Sequence, residues 1–342
     1  MLRVAVMGGG GWGTALAVVA GRAGHEVRLW SRNAGVVEEV NARRVNDTYL
    51  PGCEVPPNVR ATTDIAEALS GAEFVVLAAP SHATRSLLSA LAGHARPRMI
   101  FVSATKGIEV ETGKRISEVA AEVLGAGTEG LRFVCLSGPS FAQEVAAGQP
   151  TAVVAASDEK ELARSVQAEL SAPNFRIYTN TDVVGTELGG ALKNVMALAS
   201  GMVAGLGYGT NSVAALITRG LSEMTRLALA EGARPETLMG LAGLGDLVLT
   251  CTGGLSRNRR VGQELGRGRA LAEVLAGMKE VAEGVKTTRA VMLLAARLGV
   301  EMPITREVNA VLYEGKSARS ACEELMSRPL KGEFEGQVEQ GA

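Results

Sequence analysis

The sequence predicts an α/β protein in which a doubly wound, mostly parallel sheet is followed by an all-α domain. Up to about residue 180, short β-branched runs alternate with helical stretches, as parallel βαβ units require. After Asp182 the strand pattern fades, and helical periodicity continues to Leu325. The 342 residues also exceed what one hydrophobic core usually supports, so about two domains are expected.

The candidate strands all precede residue 182. They are Leu2–Val6, Glu26–Trp30, Phe74–Ala78, Met99–Ser103, Phe133–Leu136, Ala152–Ala155 and Phe175–Tyr178. Most are apolar throughout, which indicates a sheet covered on both faces. The first helix is predicted over Thr14–Ala23, and the later helices are separated by breaks at Gly205–Gly209, Gly232–Pro235, Gly253–Gly254 and near Pro303. We therefore place a doubly wound α/β domain at 1–182, a helical domain at 183–330 and a disordered tail at 331–342.

Composition places the chain among ordinary globular proteins, with 46% apolar and 21% charged residues. The 35 basic and 36 acidic side chains nearly cancel, so no electrostatic feature favours nucleic acid or an anionic membrane as a partner. The uncharged stretch 195–217 is long enough to span a bilayer. However, its four glycines favour two buried helices around a glycine-rich connection. We expect a cytoplasmic protein without membrane insertion.

Cysteine and histidine usage gives no sign of a metal site. The four cysteines, Cys53, Cys135, Cys251 and Cys322, form no C-x-x-C pair, and none of the three histidines follows residue 94. The expected state of the cysteines is that of reduced structural thiols in a cytosolic protein. A proton transfer in the second half of the chain must therefore use a group other than histidine.

A glycine-rich string follows the first predicted strand. Gly8, Gly10 and Gly13 satisfy G-x-G-x-x-G between a strand and a helix, the setting in which this motif indicates a Rossmann-type dinucleotide site. The first glycine permits the tight turn, the second lets the backbone approach a pyrophosphate, and the third allows close packing of helix on strand. In another setting, the same string would indicate only a glycine-rich turn.

The end of the second predicted strand bears on the choice between NAD and NADP. A site that prefers NAD usually carries an acidic residue about 20 residues after the glycines, where it binds the ribose diol. This chain has Ser31-Arg32-Asn33 at that point. A guanidinium there favours the 2′-phosphate of NADP, with Arg32 as its main partner. The alternative is an exposed arginine at a strand end.

A second informative string, Glu187-Leu-Gly-Gly-Ala-Leu-Lys193-Asn194, lies far downstream. On a helix, the residues four and three positions before Lys193 are Gly189 and Gly190. Two glycines inside a helix cost about 2 kcal/mol relative to alanine, which indicates a close approach to this face. We predict that Lys193 transfers a proton during catalysis. The alternative is a helix-packing notch beneath a solvated lysine.

Other polar residues could complete a site around such a lysine. Lys106 follows an apolar strand, so it is expected at the carboxyl edge of the sheet, where ligands bind. The alternative is an exposed loop lysine. Asp246 is either a helix cap or a counter-charge that positions a lysine. Ser256 is a good N-cap, and Arg257 beside that helix N-terminus suits a phosphate, although a solvated basic turn is the alternative.

Several long strings resemble the bacterial-type NAD(P)-dependent glycerol-3-phosphate dehydrogenase family. They lie at 104–108, 136–142, 187–194, 240–262 and 281–284, and the resemblance covers nearly the whole chain except the tail. It implies a Rossmann-type domain followed by a helical domain like the C-terminal domain of 6-phosphogluconate dehydrogenase, in a homodimer. The implied reaction is reversible reduction of dihydroxyacetone phosphate by NAD(P)H to sn-glycerol 3-phosphate, the precursor of phospholipids.

The resemblance also implies a role for each matching residue, with Lys193 as the proton donor or acceptor. The implied substrate contacts are Lys106, Gly138, Ser140, Lys193, Asp246, Ser256, Arg257 and Asn258. The implied contacts with NADP or NAD, besides Gly8, Gly10 and Gly13, are Gly11, Trp12, Arg32, Lys106, Ala142, Arg257, Val281 and Glu283. Gly11 stands where the family often has Ser, and Ser140 where Thr is common. Glycine at position 11 leaves the backbone donors of the loop in place, and serine at position 140 retains the hydroxyl.

Two alternative functions stay open on the sequence. Another sugar-phosphate or hydroxyacid dehydrogenase of the wider group would share both domains and often a lysine, so a substrate panel is needed to separate them. A non-catalytic NADP sensor would bind the dinucleotide but would have no use for Lys193 beside a glycine face. A turnover assay distinguishes that sensor from an enzyme.

Overall fold

The computed structural model describes residues 1–125, 130–278, 282–330 and 332–333. These residues form two compact units, one of residues 1–109 and 114–187, the other of 110–113 and the described residues from Leu188 onward. The domain limits given above, 1–182 and 183–330, stay a prediction. The tail predicted over 331–342 lies, except for residues 332 and 333, outside the described residues.

One sheet forms the centre of the first unit. Its strands are β1 Arg3–Met7, β2 Glu26–Trp30, β3 Val59–Thr62, β4 Phe74–Leu77, β5 Ile100–Ser103, β6 Phe133–Ser137, β7 Thr151–Ala156 and β8 Phe175–Asn180. Their spatial order is β3-β2-β1-β4-β5-β6-β7-β8. All neighbours are parallel except β6 and β7. The order reverses at β1, and doubly wound sheets bind ligands beyond the carboxyl ends of the strands at such a point.

Helices cover both faces of this sheet. They are α1 Gly11–Arg22, α2 Ala34–Glu38, α3 Ile65–Leu69, α4 Ser81–Ala92, α5 Ile116–Val123, α6 Ala142–Ala146 and α7 Lys160–Leu170, with a π-helical turn at Glu39–Arg43. On one face, Val6 and Val102 are buried with the apolar side of α1. On the other, Met7 and Phe101 are buried with residues of α4 and α5. The predicted doubly wound α/β fold is thus confirmed.

Two elements differ from the sequence prediction. Strand β3 was missed, because Val59–Thr62 is short and carries the exposed Arg60 in its middle. It pairs with β2 at the edge of the sheet, where a polar residue is tolerated. Helix α1 begins at Gly11 rather than at Thr14, so the last glycine of the fingerprint, Gly13, lies inside the first turn of the helix.

The described residues of the second unit contain helices and no strand. The helices are α8 Val183–Gly205, whose first turn belongs to the first unit, α9 Thr210–Ala230, α10 Pro235–Met239, α11 Asp246–Thr252, α12 Arg257–Gly266, α13 Leu271–Ala276, α14 Glu283–Leu298, α15 Pro303–Tyr313 and α16 Ala318–Met326, with a π-helical segment at Leu241–Gly245. The predicted breaks near Gly205, Gly232, Gly253 and Pro303 all separate helices. Among the described helices, none has the length and apolar composition that crossing a membrane requires.

The stretch 195–217 was predicted as two buried helices, and this is correct only for the first. Residues 195–202 of α8 are buried. The beginning of α9 is half-buried at Val213, Leu216 and Ile217, and exposed at Ala214 and Ala215. Apolar composition alone indicated burial, but the described residues cover this part of α9 only partly.

Glycines bring α8 and α12 into backbone contact. A Cβ atom at Gly201 would lie 2.0 Å from the carbonyl oxygen of Arg259, and one at Gly262 would lie 2.0 Å from the carbonyl oxygen of Leu198. Real Cβ atoms do not approach backbone atoms so closely, so both positions require glycine at this separation. Helix α8 carries Lys193 and α12 begins at Arg257, so the crossing sets the distance between two predicted site residues.

Candidate active site

The three glycines of the fingerprint occupy different environments in the loop between β1 and α1. Gly8 has φ +140°, and a Cβ there would lie 2.8 Å from the carbonyl oxygen of Ala78. A Cβ at Gly13 would lie 1.8 Å from the carbonyl oxygen of Gly8. Gly10 is different, because a Cβ would meet no protein atom within 4 Å. The fold therefore requires Gly8 and Gly13, whereas Gly10 leaves open space in which a ligand can approach the backbone.

Three other predicted cofactor residues lie in the same unit. Trp12 is the second residue of α1, and its buried Nε1 has no hydrogen-bond partner in the described structure. Ala142 begins α6, which packs against α1. Arg32 follows β2, is exposed, and makes no hydrogen bond or ion pair with the described residues. Its guanidinium is thus available for a ligand at the carboxyl edge of the sheet.

Lys106 is held against the β6–α6 loop. Its Nζ donates to the carbonyl oxygen of Gly138 at 2.9 Å and lies 3.5 Å from Oγ of Ser140, which itself donates to the same carbonyl at 2.9 Å. Gly138 has φ +133°, and a Cβ there would lie 2.9 Å from Cα of Val153. The three predicted substrate residues of this unit therefore form one cluster, and Gly138 is required by the chain path.

Lys193 is buried on α8, with only 6% of its surface exposed. Its Nζ donates to Oδ1 of Asp246 at 2.5 Å and to Oγ1 of Thr250 at 3.1 Å. Asp246, the first residue of α11, is 0% exposed. A buried ammonium is stable only when it is paired and hydrogen-bonded. The structure thus favours the counter-charge interpretation of Asp246 over that of a mere helix cap.

Gly189 and Thr250 explain how this ion pair is assembled. A Cβ at Gly189 would lie 2.6 Å from the carbonyl oxygen of Ala242, in the π-helical segment that leads into Asp246. At Gly189 the close neighbour is thus protein backbone, which corresponds to the packing notch considered above. The sequence prediction omitted Thr250, although the i, i+4 spacing from Asp246 on one helix could have revealed it.

Cys251 is next to Thr250 and is buried. Burial raises its pKa to about 12, despite the opposing charge of Lys193. The reactive thiolate is therefore scarce at pH 8. We expect iodoacetamide at pH 8 to label the half-buried Cys322 before Cys251, which should react only after unfolding. Peptide mass spectrometry over a time course checks this order, and early labelling of Cys251 in folded protein would contradict it.

The beginning of α12 combines a cap with a buried amide network. Oγ of Ser256 accepts from the backbone N–H of Arg259 at 3.2 Å, so the predicted N-cap is confirmed. Nδ2 of Asn258 donates to Oδ1 of Asn194 at 2.9 Å, and its Oδ1 accepts from the backbone N–H of Gly284 at 2.9 Å. Sequence reasoning had given Asn194 no role, and only its position beside Lys193 could have suggested one.

Each of the three residues joined by this amide network directly follows a predicted ligand residue in sequence. Asn194 follows Lys193, Asn258 follows the exposed Arg257, and Gly284 follows Glu283, the first residue of α14. A Cβ at Gly284 would lie 2.6 Å from the carbonyl oxygen of Asn194, so the start of α14 needs glycine to approach α8. Val281, also predicted to bind the cofactor, lies outside the described residues.

Family models cover almost the entire chain. Residues 3–163 match the N-terminal domain of NAD-dependent glycerol-3-phosphate dehydrogenase, and residues 182–323 match the C-terminal domain of the same family. Together the two matches include every residue assigned above to the candidate site.

Individual relatives and solved structures agree with these matches. Glycerol-3-phosphate dehydrogenase (NAD(P)+) of Koribacter versatilis is 57% identical over 331 residues, which are 96% of this chain and 98% of that protein. The enzyme of the same name from Geobacter sulfurreducens is 54% identical over 97% and 98% of the two chains. A crystal structure of glycerol-3-phosphate dehydrogenase from Coxiella burnetii superposes with a TM-score of 0.91 at 40% identity, over 96% of this chain and 99% of that one. The chain therefore belongs to the NAD-dependent glycerol-3-phosphate dehydrogenase family.

Proposed function

We propose that the protein catalyses the reversible reduction of dihydroxyacetone phosphate to sn-glycerol 3-phosphate with NAD(P)H, for glycerophospholipid synthesis. The observation that carries this proposal is the buried Lys193–Asp246 pair in a chain of this family. A positioned ammonium can protonate a ketone oxygen as it gains negative charge. A dinucleotide sensor has no use for a proton donor, whereas reduction of a ketone requires one.

The chain's own residues fit a dinucleotide. The open backbone at Gly10, the unpartnered Nε1 of Trp12 and the exposed Arg32 supply a phosphate loop, an indole donor and a cation. We assign Gly8, Gly10, Gly11, Gly13, Ala142 and Glu283 to the same binding site. The bound nicotinamide supplies the hydride for reduction and accepts it in the reverse direction.

In this proposal Lys193 donates a proton to the oxygen of the ketone and accepts it in the reverse direction. Asp246 and Thr250 fix the position of Nζ, so the ammonium does not have to reorient when charge develops on the substrate. Lys106, held by Gly138 and Ser140, contributes a second cation to the substrate site. The expected consequence is that loss of Lys193 lowers turnover more than it lowers binding.

The substrate phosphate is assigned to the first turn of α12. The four N-terminal N–H groups of a helix have no intrahelical acceptor, and the helix dipole favours an anion there. Arg257 can add a charge-assisted hydrogen bond. The second hydrogen of Asn258 Nδ2 has no partner among the described residues and can point to a phosphate oxygen. Ser256 acts as the cap that orders this turn.

Oxidation of NADPH and of NADH by the purified protein, followed by nicotinamide absorbance, tests the proposal. Dihydroxyacetone phosphate should support rapid turnover, whereas unphosphorylated dihydroxyacetone should not. A panel of sugar phosphates and 2-keto acids provides the comparison. Faster turnover of another panel member would assign a different substrate to the protein. Binding of NADPH without any turnover would indicate a non-catalytic sensor.

The predicted preference for NADP can be tested at Arg32. Replacing it with alanine should weaken NADPH binding by about tenfold, because one charge-assisted contact with the 2′-phosphate is lost, and should leave NADH binding unchanged. Fluorescence titration of the reduced cofactor measures both affinities. Arg164→Ala on α7, which removes an exposed arginine paired with Glu161, is the matched control. Equal affinities of the wild-type protein for NADH and NADPH would refute the role of Arg32.

We also propose a cytoplasmic homodimer. The half-exposed apolar residues at the beginning of α9 supply a surface that a second copy could cover. The four cysteines are free, as is usual in a reducing compartment. Light scattering coupled to gel filtration tests the dimer, and a monomer at micromolar concentration would reject it.

A further inference from the structure

Asn46 is a buried residue that lies far from the glycine fingerprint in sequence but contacts it in the structure. It follows the π-helical turn after α2 and is 0% exposed. Its Nδ2 donates to the carbonyl oxygen of Gly9 at 3.0 Å and to Oγ1 of Thr14 at 2.7 Å. One amide thus bridges the phosphate loop and the first turns of α1.

The hydrogen bonds leave only one orientation for this amide. Oδ1 of Asn46 accepts from the backbone N–H of Tyr49 at 3.2 Å, whereas Nδ2 faces the Gly9 carbonyl, which can only accept. Reversing the amide would place Nδ2 against the N–H of Tyr49, so that two donors face each other. It would also place Oδ1 against the Gly9 carbonyl, so that two acceptors face each other. The backbone carbonyl of Asn46 also accepts from Leu50 at 2.8 Å, which anchors the loop that carries it.

The hydrogen bond to Gly9 determines where the next N–H points. In a planar trans peptide, the C=O of one residue and the N–H of the following residue point in opposite directions. Because the Gly9 carbonyl points inward to Asn46, the N–H of Gly10 points away from it. That N–H has no acceptor among the described residues, and the space around the Gly10 Cα is open.

We propose that Asn46 is a positioning residue for dinucleotide binding, which holds the Gly9–Gly10 peptide so that its N–H faces the pyrophosphate. Glycines on both sides of this peptide make it free to rotate, so an external restraint is needed. Asn46 supplies that restraint without touching the ligand. This inference rests on the proposed cofactor site.

Ligand fragments can isolate the effect. ADP contains the pyrophosphate, whereas adenosine 2′-monophosphate contains the group assigned to Arg32 and no pyrophosphate. In Asn46→Ala we expect the affinities for ADP and NADPH to fall about tenfold, as for one lost hydrogen bond to a charged group, with little change for adenosine 2′-monophosphate. Arg32→Ala should instead lower the affinities for adenosine 2′-monophosphate and NADPH and leave the affinity for ADP unchanged. Calorimetric titration of the full chain measures all three ligands.

Asn58 provides a matched control in the same unit. Its Nδ2 likewise makes two hydrogen bonds, but at the other end of α1, where the acceptors are the backbone carbonyls of Gly21 and His25. Asn58→Ala should reduce stability while leaving ADP affinity unchanged. An equal loss of ADP affinity in both variants would reduce Asn46 to a merely structural role and overturn the proposal.

A second variant, Asn46→Asp, keeps the test decisive if Asn46→Ala does not fold. Asn46→Asp retains the size and the acceptor for Tyr49 but loses both donors. Unchanged ADP affinity in either folded variant overturns the proposal. Wild-type protein that binds NADPH but does not reduce dihydroxyacetone phosphate would reject the proposed reaction, whereas the Asn46 comparison would still be decided by the ADP titrations.

Discussion

Replacing Lys193 with methionine should lower turnover of dihydroxyacetone phosphate by about a thousandfold, because the proton donor is lost from the transition state. The affinity for NADPH should change little, since Lys193 is assigned to the ketone oxygen of the substrate and not to the cofactor. Steady-state kinetics and fluorescence titration of the same preparation measure the two quantities. Turnover near the wild-type rate would refute the assigned role.

Stability must be separated from chemistry in this experiment. Lys193→Met leaves Asp246 as a buried charge without its partner, and breaking a buried ion pair from one side costs about 3–5 kcal/mol. The double variant Lys193→Met, Asp246→Asn removes both charges. We expect the double variant to recover part of the lost free energy of unfolding and to stay as inactive as the single variant.

Lys316 offers a matched control for Lys193. It lies between α15 and α16 and pairs with the buried carboxylate of Glu307 at 2.5 Å. Lys316→Met therefore also breaks a pair with a buried acid but should retain turnover once the protein is folded. If Lys316→Met and Lys193→Met lose turnover to the same extent, general destabilisation rather than proton transfer explains the loss.

Replacing Gly262 with alanine should destabilise the second unit by about 3 kcal/mol, the upper range for overpacking a close contact. The new Cβ would lie 2.0 Å from the Leu198 carbonyl oxygen and 3.0 Å from the Met202 nitrogen, both of them backbone atoms of α8. The helices must separate, which also moves Arg257 away from Lys193. The melting temperature should fall by about 10 °C, and KM for dihydroxyacetone phosphate should rise.

The sign of this effect is informative, because glycine to alanine inside a helix ordinarily stabilises by about 1 kcal/mol. Gly220 of α9 is the control, since the atoms nearest to a Cβ there belong to the side chain of Met196, with Sδ the closest at 2.9 Å. Gly220→Ala should be close to neutral. Calorimetric melting of both variants makes the comparison, and a Gly262→Ala protein as stable as the control would show that the helices can separate freely.

Local patterns were sufficient for much of the fold. Strand β1 and the fingerprint from Gly8 to Gly13 lie next to each other in sequence, so their geometry could be predicted from a few residues. The apolar strands indicated a sheet covered on both faces for the same reason. Strand β3 was missed because Val59–Thr62 is short and carries the exposed Arg60, so its local pattern is not that of a buried strand.

The candidate site was predictable by residue type but not by contact. Lys193 and Asp246 were each singled out, yet two interpretations of Asp246 remained until α8 and α11 were seen to place them 2.5 Å apart. Gly189 and Gly190 indicated that another group approaches the helix face that carries Lys193. Only the structure identified the neighbour of Gly189 as the Ala242 backbone. The apolar start of α9 shows the opposite limit, since composition predicted full burial, whereas the described part of the chain buries these residues only partly.

The sequence by itself determined the fold class, the two types of domain and the family, because these depend on short-range periodicity and on strings of adjacent residues. Only the tertiary structure decided which side chains meet. Asn46 and Gly9, Asn194 and Asn258, and Lys193 and Thr250 are 37 or more residues apart in sequence, and each pair is joined by a hydrogen bond. Such contacts depend on how whole helices and strands pack, and no local pattern encodes them.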